Sequence, residues 1–467
     1  MFAKVTFFKI LLIANLLLII SCFNTLYSQS LTWLGTLGGN TSIAKDVSDE
    51  GPVVVGYSYT SDASKRAFSW SPTSGMVNLG ALGGDESVAN AVSADGSIIV
   101  GYSKLLNLDR LSFRWTQATG MVALQAFSQD VNRHQATAIS DDGSFIAGIY
   151  FDNDSSNPQR AYIYTTQMID MLHLNVYNGT THQTPTDLSS SGAWMVGHLE
   201  DDPNNSFQRK AFRVSGDPGS QPDLLGTLGG NISVATAISS DGSVIVGYST
   251  NANGEYRAFR WRNTTGMVAL PSFGPSTFAN DVSSTGRYIV GHYDLQNTPY
   301  EDDDRAILWD AFTVPATLRS LNYYYADLLQ DGSILENATA ISPNGRYITG
   351  YGFNAATQRR EAFLLDRQGT TGISEGVSII SDFNLKQNYP NPFNPSTIIS
   401  WQSPVSSHQT LKVYDVLGNE VATLVDEYRE AGIYEVTFDA SQLTSGVYFY
   451  KLQAGEFSAG RKMILIK

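Results

Sequence analysis

Cysteine is nearly absent: Cys22 is the only one in 467 residues. It lies in a leader-like N-terminal stretch, so a chain cleaved beyond it holds no thiol. That excludes a thiol nucleophile, a zinc–thiolate site and a disulfide framework from the mature chain. Charged residues are scarce at 16%, and positive ones scarcer, with 30 Lys and Arg against 44 Asp and Glu. A net charge of -14 repels a phosphate backbone and argues against nucleic acid as a partner. After residue 20 no apolar run has the length of a membrane span, so the mature chain is expected to have no transmembrane span. Gly-x-Ser-x-Gly, His-Glu-x-x-His and phosphate-loop motifs are missing as well. Glycine (41 residues) and aromatics (11%) are plentiful, which suits an all-β chain with many tight turns.

Residues 1–28 read as a Sec-type signal peptide. Lys4 and Lys9 precede an apolar stretch from Ile10 to Ile20, broken only by Asn15, and small polar residues follow. Cleavage is expected near Ser28. Ile19-Ile20-Ser21-Cys22 also permits a lipoprotein box with Cys22 as the lipidated first residue, and both processing routes stay open.

Beyond the leader one unit recurs. Its turn glycines are Gly51, Gly96, Gly143, Gly192, Gly242, Gly286 and Gly345, spaced 44 to 59 residues apart. Three residues before each stands a serine (Ser48, Ser93, Ser140, Ser189, Ser239, Ser283, Ser342) that can bond the reversing backbone. The strand before the turn carries small residues such as Ala89 and Ala91, which suits a crowded axis. The strand after it is apolar at successive positions, as in Ile98-Ile99-Val100, so both its faces must be covered. A third strand follows the type Arg66 to Trp70, and a fourth follows Met76 to Leu79. Four antiparallel strands per unit predict the blade of a β-propeller. The seventh copy ends at Glu361 to Leu365 without a fourth strand, and Leu31 to Gly35 is an orphan fourth strand at the other end. Joining the two closes a seven-bladed β-propeller over residues 29–365.

The tripeptides Arg66-Ala67-Phe68, Lys210-Ala211-Phe212, Arg257-Ala258-Phe259 and Glu361-Ala362-Phe363 resemble the HAF family of extracellular repeats. Leu111-Ser112-Phe113 departs from the pattern, and the Leu-Gly-Gly loop occurs only at 37–39, 82–84 and 228–230. The resemblance implies a repeat type and no particular activity.

Residues 366–381 read as a linker, and 382–467 as a separate small Ig-like β-sandwich of alternating strands. Its proline-punctuated start, Asn388-Tyr389-Pro390-Asn391-Pro392-Phe393-Asn394-Pro395, and its later strands resemble the type A C-terminal sorting domain of the type IX secretion system. That likeness implies export to the extracellular space or outer-membrane surface, with the type IX outer-membrane machinery as partner. It marks Asn388, Pro390, Asn391, Pro392, Phe393, Asn394, Pro395, Gly418, Gly446, Tyr448, Lys462 and Lys467 as motif residues.

The propeller region shows no catalytic constellation and implies no cofactor. Oxygen-rich loops at Asp152 and Asp154, Asp201 and Asp202, and Asp302 and Asp304 are weak Ca²⁺ candidates without a dedicated loop spacing; solvated loops explain them more simply. His198 and His292 stand where other copies have tyrosine, and are expected to fill a packing slot. Trp70, Trp115, Trp261 and Trp309 are expected in the core, and Arg66, Arg160, Arg257 and Arg305 in pairs with aspartates of their own blades. The carboxylates fall mainly in outer loops. A non-enzymatic surface protein that recognises an extracellular glycan or protein is therefore favoured, with a polysaccharide hydrolase or lyase as the alternative.

Overall fold

The computed structural model describes residues 29–49, 51–107, 109–124, 133–151, 159–165, 168–173, 182–200, 209–216, 220–274, 276–294, 304–313, 316–367, 384–403, 407–429, 432–455 and 457–467. The leader, residues 1–28, and the linker from 368 on lie outside these residues. The chain divides into two compact units, one ending at Thr371 and one starting at Gly372.

The first unit is built from four-stranded antiparallel groups. In the first group Gly38–Val47, Val54–Thr60, Lys65–Ser71 and Gly75–Asn78 pair in chain order. Six more groups follow, with innermost strands Ser87–Val92, His134–Ile139, His182–Leu188, Gly229–Ile238, Ser276–Val282 and Ile334–Ile341. The last draws its outer strand from the other end of the unit: Ser30–Trp33 pairs antiparallel with Arg359–Asp366, Trp33 opposite Phe363. Single parallel bridges, Thr41 to Arg360 and Gln159 to His182, join neighbouring groups.

The serine–glycine turn works through its backbone. Ser93 Oγ accepts the N–H of Ile98 at 3.0 Å and donates to Asp95, while Gly96 donates to the Ser93 carbonyl at 2.8 Å. Gly96 has φ +74, a conformation in which a side chain is strained. The strand after the turn shows a second use of glycine. A Cβ on Gly101 would lie 2.0 Å from the Val88 carbonyl oxygen of the innermost strand.

Each innermost strand also carries a β-bulge at the corresponding position, between Ala44 and Asp46 in the first group and Ala89 and Ala91 in the second. Bulge side chains stitch neighbouring groups together. Thr186 Oγ1 donates to the Ala235 carbonyl and Thr236 Oγ1 to that of Ala279, both at 2.9 Å. Thr339 Oγ1 of the last group donates to Ala44 of the first at 3.0 Å.

Apolar second strands are covered on both faces, as their sequence requires. Val55, Ala67 and Leu79 pack on Ala89, Val92, Ile99 and Phe113 between the first two groups. Ala340, Tyr347, Ala362 and Leu364 pack on Ala44, Val47, Val54 and Phe68 between the last and the first. Trp309 is fully buried and Trp70 and Trp261 nearly so, while Trp115 is half-buried. Arg257 pairs with a glutamate of its own group, Glu255 Oε2 at 2.9 Å, where an aspartate was expected, and Arg66 and Arg305 each donate to the preceding residue's carbonyl.

The second unit has two antiparallel sheets. One holds Asn384–Leu385, Ser396–Ser403 and Gly432–Asp439; the other holds Glu420–Arg429, Ser407–Tyr414, Gly446–Ala454 and Phe457–Leu465. Both contribute to one core around Trp401, Leu411, Tyr450 and Met463.

Candidate functional site: axial carboxylates and a varied rim

Residues just before the serine turns of all the innermost strands line one cavity of about 80 Å³. Three of them are aspartates. Asp46 accepts the N–H of Val47 at 2.7 Å and, with its other oxygen, that of Val92 in the next group at 2.8 Å. Asp187 does the same with Leu188 and Ile238, and Asp281 with Val282 and Ile341. Each carboxylate therefore bridges two groups at the axis. Elsewhere the position is alanine: Ala91, Ala138, Ala237 and Ala340.

Burial pushes these acids up, to about 6 for Asp46 and about 7 for Asp281, and well above the usual carboxylate range for Asp187. After burial, the Asp281 charge raises Asp187 and the Asp46 charge raises Asp281. Asp141 lines the same cavity and accepts a hydrogen bond from Ser240 at 3.0 Å. The expectation that carboxylates keep to outer loops is thus overturned in part. The signal was visible in the sequence: the residue two before each turn serine is Asp in three units and Ala in four.

The two ends of the groups differ in kind. At the turn end the same bond recurs, each turn serine's Oγ accepting the N–H five residues on, and in the Ser-x-Asp/Asn-Gly turns Ser140, Ser239 and Ser342 also donate to the Asp142, Asp241 and Asn344 of their own turns. At the other end a hydroxyl-to-backbone bond recurs between groups, but the charged and aromatic side chains around it differ from group to group. Glu86 gathers Lys65, Lys104, Arg110 and the Tyr102 hydroxyl. Burial pushes Glu86 up, but the bonds from Lys104 and Tyr102 and the charges of Lys65 and Arg110 outweigh it and hold the acid at about 2. Within the fourth group Glu200 binds Arg209 at 2.9 Å, with His198 Nε2 3.9 Å away. In the sixth, His292 stacks on Phe278 at 4.9 Å, and Phe278 meets Tyr248 edge-on at 5.1 Å. Burial pushes both histidines down to about 4, so they are neutral.

Of the Ca²⁺ candidates, Asp152, Asp154, Asp201, Asp202 and Asp302 lie outside the described residues. Asp304 lies in the strand Asp304–Asp310, 3.8 Å from His292 Nε2. Among the described residues no group of three or more His, Cys, Asp or Glu is arranged to hold a metal ion. No helix among them is long and apolar enough to cross a membrane.

In the second unit the motif residues converge. Asn388 donates its N–H to the Tyr450 hydroxyl at 2.7 Å and its Nδ2 to the Pro390 carbonyl and Thr397 Oγ1. Cis peptide bonds precede Pro390 and Pro392. Asn391 Oδ1 accepts the Ile464 N–H at 2.9 Å, and the buried Phe393 exchanges backbone bonds with Ile464 and Ile466 of the C-terminal segment. Pro395 accepts the Ala440 N–H, while Asn394 stays exposed. Gly418 takes φ +84 in the Asp415–Asn419 turn. Gly446 opens the strand that holds Tyr448, whose hydroxyl donates to Thr444 at 2.8 Å. The Lys462 carbonyl accepts from Gln387, and Lys467 Nζ donates to Ser441 at 2.6 Å.

Residues 387–467 match the family model of the secretion system C-terminal sorting domain. The tail is a sorting domain. The chain is exported by the type IX route to the extracellular space or the cell surface. No curated protein matches the chain. Among solved structures it is similar to TolB from Acinetobacter baumannii, at 11% identity and TM-score 0.39, over 71% of this chain and 66% of that one. It is similar to a puromycin-hydrolysing peptidase of Mycobacterium tuberculosis, at 14% and 0.47, over 77% and 57%. It is similar to the β-propeller domain of the Trilobed protease from Pyrococcus furiosus, at 10% and 0.31, over 70% and 93%. The chain thus spans under two thirds of the first two. The first unit is all-β and propeller-like.

Proposed function

We propose that residues 29–365 form a closed seven-bladed propeller of HAF-like repeats, cleaved from its signal peptide, carried outward by an Ig-like sorting domain, and serving as a surface binding module. Its ligand is an extracellular glycan or protein, held by the face opposite the serine turns. The observation that carries this reading is the contrast between the ends: one repeats the same hydrogen-bonded turn, the other changes from blade to blade. Uniformity serves closure of the ring, whereas recognition needs differences. The Leu-Gly-Gly connections support that face as a firm platform, because Leu37, Leu82 and Leu228 each donate N–H to a second-strand serine at 2.9 to 3.0 Å.

The axial aspartates favour a second reading, a hydrolase or lyase with a proton donor near pH 7. Magnitudes decide against it. A cavity of about 80 Å³ holds a few waters, well below the roughly 300–1,000 Å³ of small-ligand pockets. The oxygens of Asp46, Asp187 and Asp281 also already take backbone N–H bonds. A glycan array probed with the mature chain tests the binding reading, with reducing-end release measured alongside. Retention of a defined glycan supports it; release of reducing ends reinstates the enzyme.

A further inference from the structure

The turn-side end departs from its uniformity at one junction. In most groups the third strand ends on a residue that serves its own group. Ser71 Oγ and Thr116 Oγ1 bond turn hydroxyls at 2.8 Å, and Asp310 and Asp366 bind Arg287 and Arg346. In the fifth group that place is held by Arg262, at the end of Tyr256–Arg262. Strand alternation puts Arg260 on the same side, so two guanidiniums sit together.

Among the described residues neither has an ion-pair partner. Arg260 Nη1 donates to the Ala311 carbonyl of the next group at 2.7 Å. Arg262 Nε is shut off from solvent and has no acceptor. Burial, then the charge of Arg262, pushes the Arg260 pKa down, so the pair is held together against its own repulsion. An unpaired donor beside two like charges is a costly arrangement that an anion relieves.

The pair opens on a cleft of about 780 Å³ between the fifth and sixth groups, within the usual range for small ligands. Its apolar surface comes from Leu270, Pro271 and Ala311, and from Val268 and Phe312, which are 44% and 53% exposed. An exposed aromatic ring beside guanidiniums suits the C–H face of a sugar that also bears an acid. A peptide would instead need a row of free backbone groups, and the nearby edge strand, Gly266–Ala269, is only four residues long.

We propose that this cleft binds an acidic oligosaccharide, with Arg260 and Arg262 holding a uronic carboxylate or a sulfate ester and Phe312 packing on the ring. The site is separate from the varied face and does not depend on it.

The experiment titrates the mature full chain by calorimetry with trigalacturonate, a sulfated disaccharide, neutral maltotriose and tetra-aspartate. An acidic sugar is expected to bind, more weakly as salt rises, while maltotriose does not; which acid binds separates carboxylate from sulfate. Arg262→Ser, the residue found at Ser71 and Ser215, is expected to lower affinity by about tenfold or more with an unchanged melting temperature. Arg262→Lys keeps the charge without the fork and is expected to fall between, which covers a failure of the serine variant to fold. Phe312→Ala weakens both acids. No binding by either acidic sugar, wild-type affinity in both Arg262 variants, or equal binding of tetra-aspartate overturns the proposal. A glycan from the array that binds Arg262→Ser unchanged reports the varied face alone, so the two readings fail separately.

Discussion

The hydroxyl of Ser42 accepts the backbone N–H of Ala362 at 2.9 Å, across 320 residues of sequence. The same bond joins Ser87 to Ala67, Ser233 to Ala211 and Thr277 to Ala258, always from one group to the next. In the second junction His134 Nδ1 takes the hydroxyl's place and accepts from Ser112 at 3.1 Å. The junction between the last group and the first is therefore made like the others, although chain connectivity gives it no help.

Ser42→Ala leaves the Ala362 N–H buried without an acceptor and is expected to cost about 1–3 kcal/mol, read as a fall in urea midpoint with an unchanged slope. Removing Leu31 to Gly35 takes away the partner of Arg359–Asp366 and uncovers Phe363, which Trp33 meets edge-on at 6.1 Å. A larger loss is expected, together with self-association through the bared edge strand. If gel filtration and melting are both unchanged by the deletion, Ser30–Trp33 is not a closing strand.

The axial acids set a pH dependence whose sign is fixed. Asp46 and Asp281 have folded pKa values raised above 3.8 by burial, so the folded chain holds protons that the unfolded chain has lost. Their contribution is fully present below about pH 4 and disappears as pH rises through 6 and 7. The buried His134, His198 and His292 act in the opposite sense: held near 4, they remove stability as pH falls below about 6.5. Comparing wild type with Asp281→Asn separates the two effects. The variant is expected to gain stability relative to wild type between pH 5 and pH 8 by about 1–3 kcal/mol, since cavity water screens part of the shift. A difference that stays constant over that range contradicts a proton-linked role for Asp281.

Legibility followed local constraint. The turn serines and glycines, the alanine-rich inner strands and the doubly apolar second strands each have one physical use, so their recurrence exposed the strand pattern and the turns. Asp46, Asp187 and Asp281 were in plain view but unread, because a carboxylate in a strand ordinarily faces solvent. Only the meeting of the innermost strands around one cavity brings them together. Arg262 was hidden for a different reason. Its significance is that it replaces the serine or aspartate of other groups beside Arg260, and a tertiary cleft is needed to make that replacement matter. The sorting tail was legible throughout, because its prolines, asparagines and turn glycines act over short spans.

Two glycine substitutions separate close approach from backbone conformation. Gly101→Ala places a methyl group 2.0 Å from the Val88 carbonyl oxygen, and Gly101 and Val88 both lie in paired strands. The ladder must open, and a loss above about 3 kcal/mol is expected. Gly120→Ala has nothing within 4 Å and is strained only by φ +65, so about 1 kcal/mol is expected. Equal melting temperatures for the two variants would show that the second-strand glycines are not there for close approach.

In the sorting domain, Tyr450 ties the proline-rich start to the strand Gly446–Ala454. Its hydroxyl accepts the Asn388 N–H and donates to the Lys386 carbonyl, both at 2.7 Å, and its side chain is fully buried. Tyr450→Phe keeps the ring packing and strands both backbone groups, so about 1–3 kcal/mol is lost from this unit. Lys467→Ala removes an exposed bond to Ser441 and should change stability by less than about 1 kcal/mol. Because the two units have separate cores, differential scanning calorimetry should show the tail transition moving in Tyr450→Phe while the larger transition stays. Export follows from the same bond: a loosened tail presents its motif less often, and the secreted fraction should fall as that transition falls. A tail that melts earlier in Tyr450→Phe but is exported at the wild-type level would mean that the machinery reads sequence in an unfolded tail and not this arrangement of Asn388, Phe393 and Tyr450.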